Sequence, residues 1–362
     1  MAVSRINEAG LNVNQYVNRN VIINGAMMLS QRQTSSSNVG NQYVLDRFSV
    51  YKQNTGSTYT CSQNSVTDLA GFSNSLKMDC TTADTSLASN EQVHVAYKAE
   101  GQDLQRFQKG HATALGFTLS FYVKTNKTGV YTIKLFDRDN TRDVSGSYTV
   151  ADANWNRYTV NFPADTTGKF DDDNASSLEI FFQLVQGSDT TGGTLNTAWR
   201  SNSDASAASG QVNFADSTSN DWEITGVQLE VGDTATDFEH RTFADELQRC
   251  RRYAYLVGKE NGKMFTSACF ARSGYLDLVY GPLPLLQELR ASPTLTYGGN
   301  IRGTNFTRGY STQTTTDLVT YDFGSTKLGG IRVTFPSDWT AGDEVFIGDH
   351  DGTGFILLDA EL

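Results

Sequence analysis

The chain has 362 residues and a formal charge of -11, with 38% hydrophobic and 19% charged residues. Such a length predicts two or three domains. The acidic balance, unbroken by any Lys/Arg cluster, argues against a nucleic-acid partner. No apolar run is long enough to cross a membrane, and residues 1–8 lack the apolar core of a signal peptide. No membrane insertion is therefore expected, and synthesis in a reducing cytoplasm is. Cys61, Cys80, Cys250 and Cys269 have no metal-type spacing and read as reduced, partly buried thiols. Abundant Gly, Thr, Ser, Asn and Asp, with few helix formers in runs, predicts all-β modules rich in turns.

Residues 1–19 are polar and Asn-rich, and read as an N-terminal anchoring peptide that orders on docking, or as a frayed terminus. Residues 21–32 begin as a strand broken by Asn24-Gly25. Residues 43–51 read as the next strand, followed by 58–62, 75–80, 92–98, 114–124, 129–137, 145–150, 157–161, 177–186 and 223–231. The alternation is clearest where Phe117, Leu119, Phe121 and Val123 share one face and Thr118, Ser120, Tyr122 and Lys124 the other. Short strands at this spacing predict a jelly-roll β-sandwich over 20–240.

A change of period follows. Phe243, Leu247, Cys250, Ala254 and Val257 recur at spacings of four, three, four and three, which predicts an amphipathic linking helix over 241–258. Thr242 reads as its N-cap and Asp245 as its capping partner. The stripe suits packing against a sheet, or against copies of itself at the centre of an oligomer. Strands then resume at 263–272, 275–280, 294–297, 318–323, 330–335, 344–348 and 354–359, predicting a smaller C-terminal β-sandwich over 259–362. Gly281-Pro282-Leu283-Pro284 reads as a break, and Gly348-Asp349-His350-Asp351-Gly352 as a hairpin turn.

The run Asn20-Val21-Ile22-Ile23-Asn24-Gly25-Ala26-Met27, then Gln31-Arg32 and Asp46-Arg47-Phe48, resembles the opening of a family of bacteriophage virion proteins described as tail fibre or tail-associated proteins. The similarity runs through Glu100-Gly101, Thr118–Lys124, Trp155 and Asp165-Thr166-Thr167-Gly168. It ends with Thr225-Gly226-Val227-Gln228-Leu229-Glu230-Val231-Gly232, Ala235-Thr236, Phe238-Glu239, Arg241, Glu246-Leu247, Cys250 and Arg252-Tyr253. Two positions depart from the pattern: Phe48 stands where Trp is usual, and Ala254 where a second Tyr is usual. The resemblance implies a carbohydrate-binding-module-like jelly roll displayed on a virion, and it carries over no catalytic residue.

None of His94, His111, His240 and His350 falls in a nucleophile, metal-helix or Cys/His motif, so no enzyme is expected. Sugar binding calls for an aromatic surface with polar groups around it. Trp155 and Trp222 adjoin strands and read as core. Trp199 and Trp339, in polar stretches, are the ligand-binding candidates, with Tyr310 (and Tyr297 and Tyr321) behind them. Asp171, Asp172 and Asp173 cluster hard oxygen ligands, making them either a structural Ca²⁺ loop or a solvated turn; no other cofactor is expected.

The expected function is a virion structural protein: a homotrimeric tail fibre or spike subunit, assembled in the host cytoplasm. It attaches to phage tail or capsid proteins through its N-terminus and to a host-surface glycan through a distal C-terminal domain. A capsid decoration, head fibre or tail adaptor that binds only other virion proteins is the alternative. A polysaccharide depolymerase is a lesser one.

Overall fold

The computed structural model of the protein describes residues 18–259, 264–272, 275–305, 311–315, 317–322, 328–336, 339–340 and 343–362. The chain divides into two units, Met1–Glu246 and Leu247–Leu362. It is all-β, as its composition predicts.

The first unit contains strands β1 (Ser35–Ser36), β2 (Gln42–Leu45), β3 (Phe48–Gln53), β4 (Thr58–Ser65), β5 (Asn74–Thr82), β6 (Gln92–Glu100), β7 (Phe117–Thr125), β8 (Gly129–Asp137), β9 (Arg142–Val150), β10 (Asn156–Phe162), β11 (Ser176–Gln186), β12 (Arg200–Ser201) and β13 (Asp221–Val231). They pair antiparallel in two sheets, β1-β4-β5-β13-β7-β10 and β12-β9-β8-β11-β6-β3-β2, the layers of a jelly-roll sandwich. Alternation decides which side chains enter the core. Phe117, Leu119, Phe121 and Val123 of β7 are fully buried, and so are Leu178, Ile180, Phe182 and Leu184 of β11. The layers interlock through rings: Phe121 meets Phe182 edge-on at 5.3 Å, and Trp222 lies 6.3 Å from Phe182 and donates to Tyr148 Oη at 3.2 Å. Each such ring contributes about 1.5–3 kcal/mol by leaving water.

The residues expected as one strand over 43–51 form two, β2 and β3, which pair as a hairpin with Asp46 and Arg47 at the turn. Residues 21–32 are not a strand. They run as a buried segment docked on β13, where Gly226 (φ +62°) makes a bulge between Thr225 and Gln228. A Cβ on Gly226 would meet Phe72 and Tyr122 at 2.8 Å, so only glycine fits. The bulge frees backbone groups that the docked segment takes up. Val227 N donates to Gly25 O (2.9 Å), and Val227 O accepts from Asn20 Nδ2 (3.1 Å). Arg241 caps Asn20 O and Ile22 O, and Glu246 Oε1 accepts from Asn24 N at 2.6 Å. The motif residues Asn20, Asn24, Gly25, Gln228, Glu239, Arg241 and Glu246 are thus one structural lock.

The helix is Phe243–Arg251, nine residues, and not the 241–258 expected. Thr242 Oγ1 accepts from Asp245 N and donates to Asp245 Oδ2, the cap foreseen. After a turn, the chain becomes strand β14 (Ala254–Gly258), in which Tyr255 is buried and Val257 packs against the second core. Ala254 and Val257, an odd number of residues apart, therefore point to opposite faces of a strand rather than along one helical stripe. Phe243 is 56% exposed, Leu247 half-buried and Cys250 buried. Two and a half turns are too short for a coiled-coil seam.

The second unit continues with β15 (Met264–Arg272), β16 (Tyr275–Pro284), β17 (Thr294–Gly298), β18 (Ile301–Asn305), β19 (Ser311–Thr314), β20 (Asp317–Asp322), β21 (Leu328–Thr334), β22 (Glu344–Asp349) and β23 (Phe355–Asp359). Sheets β14-β23-β17 and β19-β18-β22-β15-β16-β21-β20 share a core of Tyr255, Val279, Ile331, Val333, Ile347, Ile356 and Leu358. Gly281-Pro282-Leu283-Pro284 does not break the chain. It extends β16 along β21, with Pro282 opposite Gly330 and Pro284 opposite Leu328. Residues 348–352 turn a corner, not a hairpin, since β22 and β23 belong to different sheets. Asp349 Oδ1 organises the corner by accepting from the amides of Gly352 (3.0 Å) and Gly354 (2.9 Å). Cys61, Cys80 and Cys250 are buried thiols; the side chain of Cys269, and residues 1–17, lie outside the described residues.

Candidate functional site

The second sheet of the first unit carries a cleft of about 480 Å³ on the face turned away from the core. Its floor follows from the same alternation that fills the core. With Val93, Val95 and Tyr97 pointing inward on β6, His94, Ala96 and Lys98 point outward; on β11 the outward set is Glu179, Phe181 and Gln183. Ser49, Tyr51 and Gln53 of β3 and Lys134 and Phe136 of β8 complete the floor. Register sets these residues in rows: Tyr51 opposite His94 opposite Gln183, Ser49 opposite Ala96 opposite Phe181 opposite Lys134, and Lys98 opposite Glu179 opposite Phe136. Asn41–Tyr43 forms one wall, and the loop after β11, with Thr190, Asn202, Asp204 and Ala207, the other. That loop is held by Lys134 Nζ on Asn202 Oδ1 (2.9 Å) and Asp204 Oδ1 (3.2 Å), and by Ser145 Oγ on Ala207 O (2.9 Å).

Three rings cross the floor. Tyr51 and His94 lie 4.7 Å apart at 16°, and His94 and Phe181 lie 4.5 Å apart at 45°. Rings this close and this parallel overlap by their faces, so Tyr51 and His94 stand on the sheet and turn their edges to the cleft. Phe181, tilted away and half-buried, presents apolar surface, as does half-buried Phe136. His94 is 7% exposed, and its Nδ1 has no partner among the described residues. Burial, reinforced by the Lys134 ammonium, pushes the imidazole down to about 3 and leaves it neutral.

The polar groups are ordered before any ligand arrives. Gln183 Oε1 accepts from Thr132 Oγ1 at 2.6 Å, and Tyr51 Oη donates to Gln53 Oε1 at 2.6 Å. Glu179, 6% exposed, faces Arg138 Nη1 at 3.1 Å and Lys98 Nζ at 3.9 Å. Lys134 lies 3.8 Å from buried Asp143 and 5.7 Å from the Phe136 ring centre. Such a surface can hold a ring against Phe181 or Phe136 and meet its hydroxyls with amides and charges.

Of the residues expected to bind ligand, Trp199 and Trp339 do not line this cleft. Trp199 is half-buried against the core, its Nε1 on Pro163 O at 2.8 Å and its ring 5.9 Å from Phe117. Trp339 is 4% exposed and packs edge-on to Phe335 at 5.2 Å. Tyr310 and the side chain of Tyr321 lie outside the described residues, and Tyr297 is 37% exposed on β17. Trp222 is core; Trp155, expected there too, is half-buried and bonded to Asp68 at 2.9 Å. Asp171, Asp172 and Asp173 are exposed, and among the described residues no group of three or more His, Cys, Asp or Glu side chains converges to hold a metal. Nearby in sequence the chain fills a cation cage with its own ammonium. Buried Lys109 Nζ meets Asp137 Oδ2 (2.5 Å), Asp165 Oδ2 (3.1 Å), Thr167 O (3.0 Å) and Gly168 O (2.9 Å). Burial tends to raise the Asp165 carboxyl, but bonds from Arg142, the Thr167 amide and Lys109 outweigh it and hold the group below the usual range.

No protein-family model matches the sequence, and no curated protein matches it. Among solved structures the chain is similar to the CBM22-1 and GH10 modules of a Clostridium thermocellum endo-1,4-β-D-xylanase complexed with xylohexaose, at 11% identity and a TM-score of 0.30. That match covers 60% of this chain and 29% of the other. A CBM22-1 xylan-binding domain from Paenibacillus barcinonensis is similar at 10% identity and a TM-score of 0.28, over 57% of this chain and 99% of that one. A family 11 carbohydrate-binding module from Clostridium thermocellum, complexed with a β-1,3-1,4-mixed-linked tetrasaccharide, is similar at 11% identity and a TM-score of 0.28, with the same coverage.

Proposed function

We propose that this protein binds a glycan in the cleft of its first unit, without catalysis, as a subunit of a bacteriophage tail fibre or spike. The observation that carries the glycan reading is the cleft floor. Tyr51, Phe181 and Phe136 are half-buried rings on a face where alternation calls for polar side chains, and Gln53, Gln92, Gln183 and Asn202 stand around them. Apolar ring surface suits the less polar side of a pyranose, and fixed amides suit its hydroxyls. The virion setting rests on the family resemblance over residues 20–256. So do attachment through residues 1–19 and assembly as a homotrimer. The receptor contact moves from the C-terminal unit to the first, because Trp339 is buried.

Full-length protein on immobilised polysaccharides tests the reading. Phe181→Ala is expected to weaken retention by up to about tenfold, the size of one lost ring contact, with the melting curve little changed. Phage carrying the same change should assemble normally yet adsorb poorly to host cells. Wild-type protein that no polysaccharide retains, on a phage that fails to assemble without it, would point to a purely architectural part.

A further inference from the structure

The corner between β22 and β23 gathers oxygen atoms around a buried carboxylate. Asp349 is 3% exposed, and its Oδ1 accepts from the amides of Asp351 (3.3 Å), Gly352 (3.0 Å) and Gly354 (2.9 Å). Its Oδ2 is shut off from solvent and has no hydrogen-bond partner among the described residues. A carboxylate held out of water is costly unless a positive charge meets it. Neighbouring polar groups are linked to the same corner. Asp351 Oδ2 accepts from Asn300 Nδ2 at 3.0 Å, and Asp351 Oδ1 from Thr353 Oγ1 at 2.6 Å. Asn300 N donates to Thr353 Oγ1 at 3.0 Å, and Asn300 O accepts from His350 N at 3.2 Å. The turn between β17 and β18 is thereby drawn onto the corner.

The spacing of these residues points to the occupant. Asp349, Asp351, Thr353 and Gly354 stand at the first, third, fifth and sixth places of a calcium-binding loop. With Oδ1 of Asp349 taken up by the loop amides, Oδ2 is the oxygen left for an ion. The twelfth place is Ala360 instead of a bidentate glutamate, and strands flank the loop, so this is no EF-hand. Fewer charged ligands put the affinity toward the weak end of such loops, about 10⁻⁴–10⁻³ M.

We propose that the β22–β23 corner binds one Ca²⁺, with Asp349 Oδ2 and Asp351 as its charged ligands and Thr353 and water supplying neutral oxygens. Two carboxylates in a loop suit Ca²⁺, which accepts roughly six to eight oxygens in flexible geometry, over Mg²⁺, which demands a near-octahedral set. Bound there, the ion ties the β17–β18 turn to the place where the chain passes between the two sheets of the second unit. The site does not depend on the glycan reading.

The test is thermal unfolding of the full chain, stripped with EDTA and then given about 5 mM CaCl2 or MgCl2. CaCl2 is expected to raise a melting transition by about 5 °C or more, and MgCl2 by much less. Calorimetric titration should count one Ca²⁺ whose binding Asp351→Asn weakens at least about tenfold. Asp349→Asn removes the buried charge together with the ligand, so it should lose the Ca²⁺ response while melting no lower than EDTA-treated wild type. Asp172→Asn, in the exposed acidic turn of the first unit, should respond as wild type does. A response lost with Asp172→Asn but kept with Asp351→Asn puts the ion elsewhere and overturns the assignment. So does a chain whose melting CaCl2 leaves unmoved. Equal shifts with the two salts overturn the choice of Ca²⁺.

Discussion

Burial leaves the His94 imidazole neutral across the range in which an ordinary histidine titrates, and that has a consequence for stability. In the unfolded chain the ring takes up a proton near pH 6.5. In the fold, desolvation and then the Lys134 charge push it down to about 3. Between those values the unfolded chain binds more protons, so the contribution of His94 is complete above pH 6.5 and drains as pH falls toward 3. Glu91 acts in the opposite sense: burial and then Asp84 raise its carboxyl, so what it contributes fades as pH rises through its folded value. Comparing wild type with His94→Phe cancels Glu91 and isolates the imidazole. Urea unfolding from pH 6.5 to 4.5 should show wild type losing about 1.4 kcal/mol more per pH unit than the variant. Parallel profiles would mean that the imidazole carries a proton in the fold.

The segment of residues 20–25 is held at its far end by one carboxylate. Glu246 Oε1 accepts the buried Asn24 N–H at 2.6 Å and lies 3.6 Å from Arg241 Nη1. Glu246→Ala leaves that donor unsatisfied, at about 1–3 kcal/mol. Glu246→Gln keeps an acceptor of the same reach, so thermal unfolding should show a loss of less than about half as much. Equal losses would assign the effect to the Arg241 charge. This lock is also where sequence and structure diverge most. The motif residues could be picked out but not their role, because Asn20, Arg241 and Glu246 meet only after more than 200 residues of intervening chain. Strands such as β8 and β11 were legible to within a residue, since alternation with flanking turns admits little else. The helix end was not. Spacings of four and three continue through Ala254 and Val257, and only the partner strand Phe355–Asp359 decides that these residues extend. The cleft was hidden for a related reason. Phe181, flanked by Ile180 and Phe182, reads as part of one apolar run, and only its parity with Glu179 and Gln183 marks it as outward-facing. Trp199 and Trp339 are large rings among polar neighbours in the sequence, and in the fold Trp339 is buried and Trp199 packs part of its surface against the core.

At the scale of the whole chain, the distribution of parts predicts where binding resides. The cleft, its walls, the Lys109 cage and the lock through Glu246 all lie within Met1–Glu246. A chain ended after Arg251 keeps each of these and the complete helix. It is expected to fold and to bind polysaccharide as tightly as the full-length protein, with the same dependence on Phe181. Association is a separate matter. A nine-residue helix with Phe243 exposed lacks the length for a three-stranded seam, so a trimer would have to be built from other surfaces. Sedimentation of the two chains side by side separates the possibilities. If the shortened protein is monomeric, binds each sugar site as before, and yet adheres poorly to a dense polysaccharide surface, then the second unit supplies copy number, and the loss is one of avidity. If it folds but has lost single-site affinity, the second unit contributes to the sugar contact and the cleft alone is not the binding site.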